Sequence, residues 1–173
     1  MKKDPTYETE RLIIRPTTTE DAAFIYELMN SEGWLKYIGD RGIKSVEHAK
    51  NYILEKMRPQ QERLGYSNNT VIRKLDGAKM GSCGLYDREG LEGVDIGFSF
   101  LPQFGKKGYA FEAATKIKTL ALNEFGLPQI NAITTPANIN SQKLLEKLGL
   151  QYVKMIRLPN DPEEWMFYQL FRE

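Results

Sequence analysis

Between Gly93 and Phe125 the chain changes its period. The stretch "GVDIGFSFL" alternates, placing Val94, Ile96, Phe98 and Phe100 on one face and Asp95, Gly97 and Ser99 on the other, which is the pattern of a strand. "PQFGKKG" follows with one proline, two glycines and two lysines. Ala110, Ala113, Ala114, Ile117, Ala121 and Phe125 then recur at helical spacing until Gly126 and Pro128 stop them. A strand that feeds a helix through a glycine turn commits the chain to a layered α/β arrangement. It also leaves the first amides of that helix without intrahelical partners and with partial positive charge.

The rest of the chain supplies the other elements. "RLIIRP" (Arg11–Pro16) reads as a first strand. Threonines before acidic residues open a helix whose stripe is Ala22, Ile25, Tyr26, Leu28 and Met29. Gly33–Lys44, with its glycines, Trp34 and Tyr37, reads as loop, and a second helix from Ser45 to about Leu64 is expected to weaken or break near Pro59. "NTVIRKL" and "KMGSCGLYD" form a hairpin about Asp76–Gly77. "QINAITT" is a strand, "ANINSQKLLEKLGL" a short helix, and "QYVKMIRL" and "EWMFYQLF" two late strands. The last of these is apolar on both faces, which suits a core strand or a dimer surface equally.

The order is β-α-α-β-β-β-α-β-α-β-β. At 173 residues it fits one α/β (α+β) domain over residues 1–173. Lys plus Arg number 24 against 23 Asp plus Glu, so no net field points to nucleic acid or to an anionic membrane. No apolar run has the length of a membrane span, and "MKKDPTYETERL" lacks the apolar core of a signal peptide. A lone cysteine, Cys83, with no CxxC pair suits a reducing cytoplasm, and Cys83 itself reads as a structural thiol. One histidine and no HExxH leave no expected metal site.

Glycines at 105 and 108 let successive amides turn inward as an anion nest, and Lys106 and Lys107 add cationic heads. A Walker loop is excluded because Tyr109, not Ser or Thr, follows the last glycine. A dinucleotide signature is disfavoured because the loop comes late, after hairpin strands. On loop chemistry alone a phosphate nest and a plain turn with two solvated lysines both stand.

Read together, "TERLIIRPTTTEDA", "GSCGLYD", "VDIGFSFLPQFGKKGYAFEAA" and "TTPANINSQKLLEKLGL" resemble the Gcn5-related N-acetyltransferase (GNAT) superfamily, in particular its ribosomal-protein-alanine N-acetyltransferase branch. The resemblance spans nearly the whole chain. It implies a twisted, mostly antiparallel mixed sheet of about seven strands flanked by about four helices. It also implies acetyl transfer from acetyl-coenzyme A to a primary amine, either a protein N-terminus or a small molecule. Pantetheine would lie along Phe98, Ser99 and Phe100, and the pyrophosphate over Gln103, Gly105, Lys106, Lys107, Gly108, Tyr109 and Ala110. The superfamily loop Gln/Arg-x-x-Gly-x-Gly/Ala maps onto Gln103–Gly108, with Lys106 where the first glycine is usual.

By the same match Asn138 would contact the pantetheine and Ser141 would protonate the departing thiolate. Leu145 stands where many relatives carry a tyrosine. Asp95, on the strand face with the small residues Gly97 and Ser99, is a candidate base acting through water. Cap duty for Asn138 and Ser141, and a plain ion pair for Asp95, are the simpler alternatives. Glu112 suits the helix dipole. Trp34 and Tyr37 are candidates for the acceptor pocket, and a homodimer is an open option. The altered loop and the missing tyrosine also fit a non-catalytic coenzyme A-binding sensor or assembly subunit.

Overall fold

The computed structural model describes residues 3–173. Its strands are β1 (Tyr7–Glu8), β2 (Leu12–Pro16), β3 (Asn68–Arg73), β4 (Lys79–Asp87), β5 (Val94–Phe100), β6 (Gln129–Thr134), β7 (Gln151–Arg157) and β8 (Glu164–Phe171). They form one sheet in the order β1-β2-β3-β4-β5-β6-β8-β7. All neighbours are antiparallel except β5 and β6. The strand beyond the expected seven is β1, whose two residues pair as Tyr7↔Ile14 and Glu8↔Ile13. So short a strand has no alternation to display.

The helices are α1 (Ala22–Met29), α2 (Glu32–Tyr37), α3 (Val46–Tyr52), α4 (Arg58–Leu64), α5 (Tyr109–Thr119) and α6 (Ile139–Lys147). α3 and α4 are one rod joined by a π turn at Ile53–Met57, so five helices flank the sheet where about four were expected. The additional one is α2, inside the stretch read as loop; Gly33, a poor helix former, masks it in the sequence. Pro59 does not break the second helix. It is the second residue of α4, directly after the π turn, where the i→i−4 ladder is already interrupted.

Two apolar clusters hold the layers together. Under α5 and α6, the sheet residues Leu12, Ile14, Cys83, Leu85 and Ile96 meet Ala113, Ala114, Ile117 and Leu145. On the other side Ile25, Leu28 and Met29 of α1 meet Ala49 and Ile53, with Ile43 and Leu101 alongside. Cys83 is fully buried, and burial pushes its thiol well above the usual range, so it stays protonated.

At the start of α1 the buried residues are polar. Asp21 is 0% exposed and receives Arg15 through both guanidinium nitrogens at 2.8 Å and Lys79 Nζ at 2.7 Å. The Thr18 amide and the Thr70 hydroxyl donate to it as well. From Thr70 a line of hydrogen bonds runs through Thr17 and the Asn68 amide to the Tyr86 hydroxyl.

β8 lies between β6 and β7, with Trp165, Phe167 and Tyr168 buried, so it is a core strand. The exposed apolar side chains belong instead to β7, at Tyr152, Val153 and Met155, and to Phe171 at the end of β8.

Candidate active site

β5 and β6 run parallel but are in register only at Asp95↔Asn131, and past that pair they part. β4 pairs with β5 from Asp87↔Val94 to Gly81↔Phe100. Alternate backbone groups of Gly97–Phe100 on the β6 side are therefore left without a strand partner. Phe98 and Phe100 pack into the core under α5, and Ser99 lies across from Ser82 on the opposite face.

Past Phe100 comes Leu101, then a 3-10 turn at Pro102–Phe104 that exposes Gln103. Two residues then take left-handed backbone: Lys106 with φ 61° and Gly108 with φ 80°, the latter as N-cap of α5. Lys106 thus holds a left-handed backbone at the position where the resemblance leads one to expect glycine, at a cost of roughly 1–2 kcal/mol for a residue with a Cβ. From Lys106 to Phe111, no backbone N–H meets an acceptor among the described residues. Successive free amides of this kind form a concave anion nest, here at the positive end of a helix dipole.

Arg11, just before β2, braces this loop from behind. Its Nη1 donates to the Lys107 carbonyl at 3.0 Å and its Nε to Glu112 at 2.7 Å, and its guanidinium lies 4.3 Å from the centroid of the Tyr109 ring. The Arg11 amide and the Thr9 hydroxyl also donate to Glu112. Partial burial alone would raise the Glu112 pKa; the Thr9 and Arg11 hydrogen bonds outweigh it and hold the carboxylate below its usual value. Glu112 therefore does more than favour the helix dipole: it staples the first strands to α5.

α5 and α6 face each other across the opening between β5 and β6. Lys118 Nζ donates to the Leu148 carbonyl at 2.6 Å, and Lys147 Nζ sits 4.0 Å from the centroid of the Phe111 ring. Thr115 lies on the same side of α5, four residues after Phe111 and three before Lys118. Its hydroxyl, and that of Thr135 after β6, are buried and unpartnered. The Asn138 side chain accepts from the Ser141 amide at 3.2 Å, so it caps α6. The partly buried Ser141 hydroxyl has no hydrogen-bond partner among the described residues. A polar chain threaded between these helices would find orphan hydroxyls to satisfy. This fits the amide-rich pantetheine arm.

On the opposite face of β5, Asp95 is 1% exposed and both of its oxygens accept from Arg88 at 3.1 Å. Burial raises the Asp95 pKa from its ordinary value, against the pull of Arg88. The Tyr86 ring packs over Gly97, where an added Cβ would lie 2.9 Å from a ring carbon. Trp34 and Tyr37 sit on α2. Trp34 packs against the α1–α3 cluster, with its indole N–H buried and unpaired.

A parallel pair that opens beside a helix-start anion nest is the arrangement that the sequence resemblance to the GNAT acetyltransferases leads one to expect. The comparisons with known proteins agree. Residues 11–151 match the acetyltransferase (GNAT) domain family, and the chain belongs to it. The uncharacterized N-acetyltransferase YnaD of Bacillus subtilis (strain 168) is 28% identical over 169 residues, covering 95% of this chain and 96% of its own. The GNAT-family acetyltransferase of Bacillus anthracis superposes with a TM-score of 0.79 at 26% identity, over 96% of this chain and 98% of its own. RimL, a ribosomal alpha-N-protein acetyltransferase solved in complex with coenzyme A, shares the fold at a TM-score of 0.82 and 12% identity, over 97% and 98% of the two chains.

Proposed function

We propose that the chain transfers the acetyl group of acetyl-coenzyme A to a primary amine, on a protein N-terminus or a small molecule. The observation that carries this reading is the run of open amides from Lys106 to Phe111 beside the gap between β5 and β6. Those amides, with Lys106 and Lys107, hold the diphosphate. The unpaired edge of Phe98–Phe100 and the hydroxyls of Thr115 and Thr135 take the pantetheine amides. The thioester supplies an activated acetyl group, and positioning it against the amine provides much of the rate.

Ser141 gives a proton to the departing sulfur. Asp95 serves as proton sink for the acceptor ammonium once Arg88 has turned aside, with water as relay. Trp34 and Tyr37 wall the acceptor. Self-association, if the protein pairs, belongs on the β7 edge. We place the protein in the cytoplasm; among the described residues no helix is long and apolar enough to cross a membrane.

Ser141→Ala is expected to lower kcat by about 10²-fold, the low end of what a positioned acid contributes, with the Kd for coenzyme A unchanged. Thiol release across an amine panel, measured alongside calorimetry with coenzyme A, tests both halves. The Arg88 seal over Asp95 also suits a non-catalytic coenzyme A sensor. That second reading requires tight binding with no amine-dependent thiol release, and a kcat loss in Ser141→Ala would rule it out.

A further inference from the structure

We propose that Arg11 is a positioning residue for the cofactor loop: by gripping the Lys107 carbonyl it aims the Gly108 N–H into the anion nest. The inference rests on the coenzyme A reading above and adds a residue more than ninety positions away in the chain.

The geometry begins with the peptide unit. A trans peptide is planar, so its C=O and N–H point in opposite directions. The carbonyl of Lys107 and the amide of Gly108 belong to one such unit. Arg11 Nη1 holds that carbonyl at 3.0 Å on the β2 side of the loop. The Gly108 N–H must then face away from Arg11, and it has no acceptor among the described residues. A loop released from Arg11 can turn this plane over and present a carbonyl oxygen to the anion instead.

Two further contacts fix the guanidinium itself. Nε is held by Glu112 at 2.7 Å, and its face lies 4.3 Å from the Tyr109 ring centroid. Tyr109 and Glu112 are both in the first turn of α5, so Arg11 is registered to the helix whose amides complete the nest. The fork geometry matters. A planar guanidinium can stack on the ring while donating along two edges, whereas an ammonium offers a single point. Arg11 is thus predicted to act through orientation and not through charge alone.

The test compares wild type with Arg11→Gln, Arg11→Lys and Glu112→Gln, using calorimetry with coenzyme A and steady-state kinetics with acetyl-coenzyme A. Arg11→Gln is expected to raise the Kd for coenzyme A and the KM for the acetyl donor by about tenfold, with kcat at saturation within about twofold of wild type. Arg11→Lys, with the charge kept, is expected to recover less than half of that loss on a logarithmic scale. Glu112→Gln keeps a neutral acceptor for Nε and should raise the Kd by about threefold; it carries the test if the Arg11 variants fail to fold.

An unchanged Kd in Arg11→Gln overturns the proposal, as does full recovery in Arg11→Lys, which would mean simple charge attraction. A fall in melting temperature with no change in the Kd of the folded protein overturns it too, since that is what a merely structural brace would give. If wild type itself binds no coenzyme A, the functional reading falls; if wild type binds and Arg11→Gln binds equally, only the role of Arg11 falls.

Discussion

Asp21→Ala is expected to destabilise the protein by about 3 kcal/mol, toward the low end for breaking a buried ion pair because Arg15 and Lys79 can still reach water. In a chain of this size that is a melting temperature lower by roughly 6–12 °C. The carboxylate is the one acceptor common to Arg15, Lys79, Thr18 and Thr70, so its loss takes a partner from four donors at once. The damage also travels. With Asp21 as the final acceptor, Thr70, Thr17, Asn68 and Tyr86 have a consistent donor direction, and Tyr86 is the ring that packs over Gly97 of β5.

The same residue sets an acid dependence. Burial alone would raise the Asp21 pKa, but Arg15, Lys79 and the Thr18 amide outweigh it and hold the carboxyl well below the usual carboxylate range. A group depressed on folding stabilises the native state above its unfolded value, about 3.9, and loses that contribution as pH falls below it. Urea midpoints measured between about pH 5 and pH 3 should therefore drop more steeply in wild type than in Asp21→Asn. Equal slopes would show that the cluster does not couple to acid unfolding.

Gly108→Val is the second large expectation, and it concerns affinity. Gly108 sits at φ 80°, ψ 4°, a left-handed backbone that a β-branched residue adopts only at a cost of roughly 1–2 kcal/mol or more. Its Cβ would meet Arg11 Nη2 at 3.4 Å, in van der Waals contact, so the branched methyls beyond it bear on that guanidinium. The loop escapes both by rotating, and rotation takes amides out of the nest. The Kd for coenzyme A is expected to rise at least tenfold, with little loss of fold because the residue is exposed. Calorimetry decides the matter, and an unaltered Kd would separate the loop from cofactor binding.

What the sequence made legible was whatever is encoded within a dozen residues. Alternation placed Val94, Ile96, Phe98 and Phe100 on one strand face, and the structure packs that face into the cluster under α5. The glycine turn located the free amides, and the simpler alternative for Asn138, a helix cap, is a contact that its side chain makes. What stayed hidden depended on partners far along the chain. Asp21 reads as an ordinary helix-start residue until Lys79 is folded against it. Asp95 was visible on its strand face, but not the arginine that closes over it from the β4–β5 connection. Arg11 and Glu112 carry no local sign of each other. α2 escaped notice because Gly33 weakens the helical pattern in its first turn.

The wider coil at Ile53–Met57 has a consequence for how this chain tolerates changes of length. A turn with i→i+5 bonding houses one more residue than the regular helix around it, so everything after it is rotated by that surplus. Gln60 lies immediately downstream, spanning the carbonyls of Tyr66 and Leu85 while accepting from the Asp87 amide. Trimming one residue there would straighten the rod and swing the glutamine off the strand ends it bridges. A deletion that looks like tidying would unpick the seam between helix and sheet.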